Sequence, residues 1–88
     1  MNLDHVEGWT GSLQQLAEAI GRMRYDKLSE LIDLLAADLE RQAMLNREDN
    51  RQRLASVLMQ TSVALIRSAT AMQAAWEIDG RTLTHDGG

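Results

Sequence analysis

Apolar residues recur along this chain at the spacing of one helix face, about every 3.6 residues, in three blocks separated by polar breaks. Leu13, Leu16, Ala17, Ile20 and Met23 make the first block. They follow Ser12, whose S-L-Q-Q run with Gln15 is a capping-box pattern. The spacing predicts a short helix over about 12–24. Leu28, Leu31, Ile32, Leu35 and Leu39 form the second stripe, with Asp26, Glu30, Asp33 and Glu40 on the opposite side. This predicts an amphipathic helix over about 26–46, with Asp26 as its N-cap. Gln42 and Asn46 extend the stripe, either because the helix leaves the core there or because they bond to a neighbouring helix.

The third block predicts a helix over about 50–77. Leu54, Leu58, Thr61, Leu65, Ser68, Met72 and Ala75 alternate steps of four and three, which is a heptad seam. Val57, Ala64, Ala69, Ala71 and Trp76 widen it, and its many small residues suit close helix approach. Met59, Val63 and Ile66 fall on the other side. Between Leu54 and Trp76 the one charged residue is Arg67. A helix with so little charge needs covering on most of its faces, and a chain of 88 residues has little with which to cover it.

The run N-R-E-D-N-R-Q-R at 46–53 is the break between the second and third helices, with Asn46, Asp49 and Asn50 as cap or turn residues. No Gly or Pro occurs between Arg22 and Asp79, so one continuous helix is the alternative to a hairpin. The expected architecture is all-α: a short N-terminal helix followed by a long antiparallel helical hairpin, associating into a dimeric helical bundle. Residues 1–11 read as an N-terminal arm pinned by Trp9, 12–79 as a single helical domain, and 80–88 as a C-terminal tail beginning at Gly80.

Composition narrows the chemistry. Three aromatics, no Phe and few β-branched residues argue against a sheet. With no cysteine, neither a disulfide nor a thiolate metal site is available, and small domains without such staples often oligomerise. A net charge of −4 disfavours nonspecific binding to nucleic acid or anionic lipid. The N-terminus has no signal-peptide pattern, and Gln60, Thr61, Ser62, Arg67, Ser68, Thr70 and Gln73 make the 54–76 window too polar for a membrane span, so a cytoplasmic protein is expected.

Candidate sites for catalysis are few. His5 and His85, with Asp4, Glu7 and Asp86, could meet as a metal site only if the termini converge, and their spacing is not that of a helical ligand pair. Solvated histidines are the plainer reading, and no metal and no cofactor are expected. Chorismate-mutase-type bundles need several interior cations where this chain offers Arg67. Helical nucleotide pyrophosphatases need paired acidic motifs, whereas Asp33, Asp38 and Glu40 read as a solvent face. Arg41, Arg47, Arg51 and Arg53 gather at the turn, but Glu40, Glu48 and Asp49 are interleaved and no aromatic stands by to stack on a base.

The pattern of length, helicity and acidity resembles the small helical chaperones of flagellar and type III secretion systems, phage-type helical inhibitors and quorum-sensing anti-activators. No motif carries that resemblance, so no functional residue is transferred. The expected function is a non-catalytic protein–protein interaction module: a regulator, adaptor or inhibitor of a larger protein. The alternatives are a secretion-type chaperone holding a helical client segment and an RNA-binding helical hairpin. The expected partners are a second copy and another protein, with no nucleic acid, no membrane and no small-molecule substrate. The residues expected to bind are Met59, Val63, Ile66 and Arg67.

Overall fold

A computed structural model describes residues 2–87, with side chains described for residues 2–80. Three helices follow in order: α1 (Leu13–Gly21), α2 (Tyr25–Glu48) and α3 (Gln52–Gly87). α2 and α3 are antiparallel and make the helical hairpin; the single continuous helix is ruled out. The capping box is present, with the Ser12 hydroxyl accepting from Gln15 N and the Gln15 side chain accepting from Ser12 N. The arm folds back on it. Trp9 Nε1 donates to the Ser12 carbonyl at 2.9 Å, and a Cβ at Gly11 would lie 2.7 Å from the Trp9 ring. Only glycine leaves room for that ring.

The second helix begins one turn-position earlier than expected. Arg24 is its N-cap and offers no side-chain bond to the helix. Asp26 lies inside the first turn, where it accepts from Lys27 N and from both Nε and Nη2 of Arg24. A carboxylate there also suits the positive end of the helix dipole. The hairpin turns through Asp49, Asn50 and Arg51. Asn50 takes a left-handed φ of 63°, Asn50 N donates to the Arg47 carbonyl, and Arg51 N donates to the Asn46 carbonyl. This is a Schellman ending, for which Asn is the usual substitute for Gly. At the other end α3 runs past Gly80, where the sequence placed a stop. Glycine costs a helix about 1 kcal/mol but ends it only by turning left-handed, and Gly80 does not.

The seam between α2 and α3 is made of small residues. Ser29, Ala36 and Ala43 are buried on α2, and Ala55, Ser62 and Ala69 on α3. Each set repeats every seventh residue, so each set forms one row facing the partner helix. Ile32 and Leu39 on α2, and Leu58, Leu65 and Met72 on α3, are half-buried between the rows. On α3 the expected seam thus holds for Leu58, Leu65 and Met72, while its other row is one residue out of phase. Leu54, Thr61 and Ser68 are exposed, and so are Leu31 and Leu35 of the expected α2 stripe. The reason is steric. Alanine and serine in facing rows let the backbones come together, and the Ser29 hydroxyl then reaches the Ala69 carbonyl at 2.7 Å. Gln42 and Asn46 make no bond to α3: Gln42 donates to Asp38, and Asn46 to the Gln42 carbonyl.

A close pair of helices with a core of alanine and serine leaves its large side chains outside. The chain measures 57 × 29 × 14 Å with a radius of gyration of 16.4 Å, where a compact domain of this length would have about 12 Å. α1 adds little cover, since none of its residues is buried and Leu13 is 61% exposed.

Candidate functional site

The seam divides the hairpin into two broad faces. Helical periodicity puts Leu28, Leu31, Leu35 and Leu45 of α2 on one face, beside Leu54, Thr61 and Ser68 of α3, with Val57 at its outer edge. The same count puts Asp33, Glu40, Met44 and Arg47 on the other face, beside Met59, Val63 and Ile66. The grooves agree with this division. One runs between Gln42, Leu45, Asn46, Leu54 and Leu58, and Asn2 of the arm reaches it. The other, of about 490 Å³, is lined by Arg47, Ser56, Met59, Val63 and Arg67, among others.

Three of the four residues singled out in the sequence, Met59, Val63 and Arg67, therefore line one groove. Ile66, 46% exposed, stands outside it. Met59 is half-buried, and Val63 is exposed. Arg67 reaches solvent and, among the described residues, has no ion-pair partner; the same holds for Arg47. Arg47 lies in the last turn of α2, and Arg67 lies fifteen residues beyond Gln52, so the groove is about 22 Å long with a cation toward each end.

Two arginines elsewhere on the hairpin are already paired. The guanidinium of Arg41 donates to Asp38, as does Gln42 Nε2, and together they hold the Asp38 carboxyl below its ordinary range. The Arg24 hydrogen bonds lower Asp26 in the same way, and Asp26 raises Arg24. Arg24 also lies over the Trp76 ring, 5.2 Å from its centroid, and so ties the α1–α2 link to α3. His5 bonds to Asp4 on the exposed arm. His85 and Asp86 lie outside the described side chains. Among the described residues no group of three or more His, Asp or Glu side chains is placed to hold a metal.

The hydroxyls of α3 explain a feature that residue counting alone missed. Thr61, Ser68 and Thr70 donate to the carbonyls of Val57, Ala64 and Ile66 on their own helix. Ser62 donates across to Ala36. With these groups satisfied, α3 is more apolar than its sequence suggests. By length and composition alone, Gln52–Gly80 passes as long and apolar enough to cross a membrane: one 18-residue window within it has a mean hydropathy of 1.2, and 17% of that window is buried. The polar residues of this window therefore do not by themselves exclude a span. No protein-family model, no curated protein and no solved structure matches the chain.

Proposed function

We propose that this small all-helical domain is a non-catalytic protein–protein interaction module, a regulator, adaptor or inhibitor, that binds an amphipathic helix of a larger protein along α3. The supporting observation is the groove lined by Met59 and Val63, with Arg47 and Arg67, neither in an ion pair among the described residues, toward its ends. An arginine without a carboxylate beside an apolar strip suits a ligand that brings both an apolar ridge and carboxylates. A groove of about 22 Å takes about four turns of helix. Methionine at its centre adapts to more than one side-chain shape.

Lipid is the weaker occupant. Arg67 lies mid-window in α3, and an arginine at a bilayer centre costs about 2.5–3.5 kcal/mol on insertion scales. The hairpin tip carries Arg47, Glu48, Asp49, Arg51 and Arg53, and would have to cross first. RNA is weaker still, since Glu40, Glu48 and Asp49 are interleaved with the arginines of the tip and no aromatic stands by to stack on a base. A cytoplasmic location fits the same reading.

The test is capture from the native lysate on immobilised protein, read by mass spectrometry, with Val63→Glu in parallel. A protein retained by the wild type and lost with the variant supports the module. Equal retention by both removes the groove from the reading. A secretion-type chaperone, the second reading suggested by Met59 in an open groove, would retain its client as an unfolded segment rather than as a folded protein.

A further inference from the structure

The groove accounts for one face of the hairpin and leaves the other uncovered. A compact monomer of 9.8 kDa exposes roughly 5,200 Å² on the general scaling, whereas this chain exposes 6997 Å². The excess is about twice the ~800 Å² that each partner contributes to a standard interface. The helix pair is a single layer, with 14 Å as its shortest dimension; Asn2 of the arm reaches the Leu45–Leu54 end of one face, and α1 buries none of its own residues against either. Bundles solve this by stacking pairs of helices.

The two faces are not equivalent. On the groove face, Asp33 and Glu40 stand next to the seam, and among the described residues neither is in an ion pair. Two copies meeting there would take these carboxylates and Arg47 out of water, a cost returned only where they pair in good geometry. On the opposite face the positions next to the seam are Leu28, Leu35 and Gln42 on α2, and Leu54, Thr61, Ser68 and Ala75 on α3. Several of its polar groups are already satisfied within the chain. Thr61 and Ser68 bond their own helix, and Arg41 and Gln42 both donate to Asp38. Leu35 is 49% and Val57 57% exposed. The two helices also differ in size there: α2 carries leucines, and the middle of α3 carries Thr61, Ser68 and Ala71. A leucine ridge over a row of small residues interlocks, whereas leucine over leucine holds the helices apart.

We propose that a second copy of this chain packs on the face of Leu35, Leu45, Leu54, Val57 and Thr61, with α2 of each copy over α3 of the other, closing a four-helix bundle. The contact is self-complementary about a twofold axis and therefore closes at two copies. It leaves the Met59–Val63 groove open on both outer surfaces, so the dimer is bivalent toward the helical partner. The bivalency rests on the groove reading; the dimer itself does not.

Sedimentation at micromolar concentration tests it. The wild type should be a dimer. Val57→Ser, at a site already open in the single chain, should weaken the dimer at least tenfold while far-ultraviolet circular dichroism keeps its helical signal. Leu35→Glu and Thr61→Lys should each give monomers, and mixing the two should restore a heterodimer, because the carboxylate then meets the ammonium across the interface. Val63→Glu should remain a dimer. A monomeric wild type overturns the proposal, as does a dimer lost with Val63→Glu but kept with Val57→Ser. Monomers that bind phosphatidylcholine vesicles, with or without phosphatidylglycerol, also overturn it and assign the face to lipid. Were the wild type monomeric while Val63→Glu still abolished partner capture, the groove would stand and the dimer would fall.

Discussion

The Ser62 hydroxyl donates a 2.7 Å hydrogen bond to the Ala36 carbonyl on the facing helix, and both residues are 1% exposed. A serine oxygen is one bond beyond Cβ, so reaching a facing carbonyl brings the backbones close. Ser29 and Ala69 repeat the arrangement with the roles of the helices exchanged. These two bonds pin the register of the pair from both sides.

Removing the hydroxyl and removing the space should have different costs. Ser62→Ala deletes one hydrogen bond and leaves the Ala36 carbonyl in its helical bond, so it should cost about 0.5–1.5 kcal/mol. Ala36→Leu forces the backbones apart and should cost about 1–3 kcal/mol or more. Ala37→Leu, one residue along and exposed, should be nearly neutral. Urea unfolding of the three variants checks the order. An Ala36→Leu chain as stable as the wild type would show that the seam is not close-packed.

The helices, the capping box and the hairpin break were legible because each rests on local chemistry: period, Ser12–Gln15 reciprocity, and an Asn where the chain must turn left-handed. The seam was harder. Ser29, Ala36 and Ala43, like Ala55, Ser62 and Ala69, recur every seventh residue, and that signal was in the sequence. Large apolar residues one position away obscured it, since Leu54 and Leu35 carry more burial free energy than any alanine. In a single hairpin, closeness decides which row faces inward, and the large residues are left for another surface. Met59, Val63 and Arg67 came together because the outward side of one helix needs no knowledge of its partner. The satisfied hydroxyls of Thr61 and Ser68 needed the structure.

The turn tests the hairpin itself. Left-handed φ costs most L-residues about 1–2 kcal/mol, and Asn less. Asn50→Gly should therefore keep or slightly raise stability, while Asn50→Val should lower it by about 1–2 kcal/mol. Thermal melting of both variants decides. Equal melting temperatures would mean that residue 50 is not held left-handed in solution.

Acid should loosen two local contacts. Asp26 and Asp38 have folded pKa values below the ordinary 3.8, mainly through hydrogen bonds from Arg24 and Arg41 respectively. A lowered folded value means that the contribution is complete above 3.8 and is lost as pH falls through the folded value. Stability from these pairs should be flat from neutral pH down to about 5 and should decline below about 4. Asp38→Asn, which removes one of the two groups, should be less stable than the wild type at neutral pH and should approach it in acid. Melts across that range would show a constant gap if the Arg41–Asp38 contact contributes nothing.

Arg67 separates stability from binding. It reaches solvent, has no ion-pair partner among the described residues, and stands toward one end of the groove. Replacing an exposed, unpaired side chain usually changes stability by less than about 0.5 kcal/mol. Arg67→Glu should therefore melt like the wild type and, lying away from the Leu35–Val57 face, should sediment like it too. Partner capture should fall sharply, because the substitution puts a carboxylate against the partner's carboxylate. Arg67→Lys keeps the charge but loses the planar fork, so it should retain part of the binding. Capture unchanged in Arg67→Glu would make this arginine a solvated side chain and shift the recognition to Met59 and Val63 alone. Capture lost together with the helical signal would instead mean that Arg67 holds the hairpin together, a role for which its exposure gives no reason.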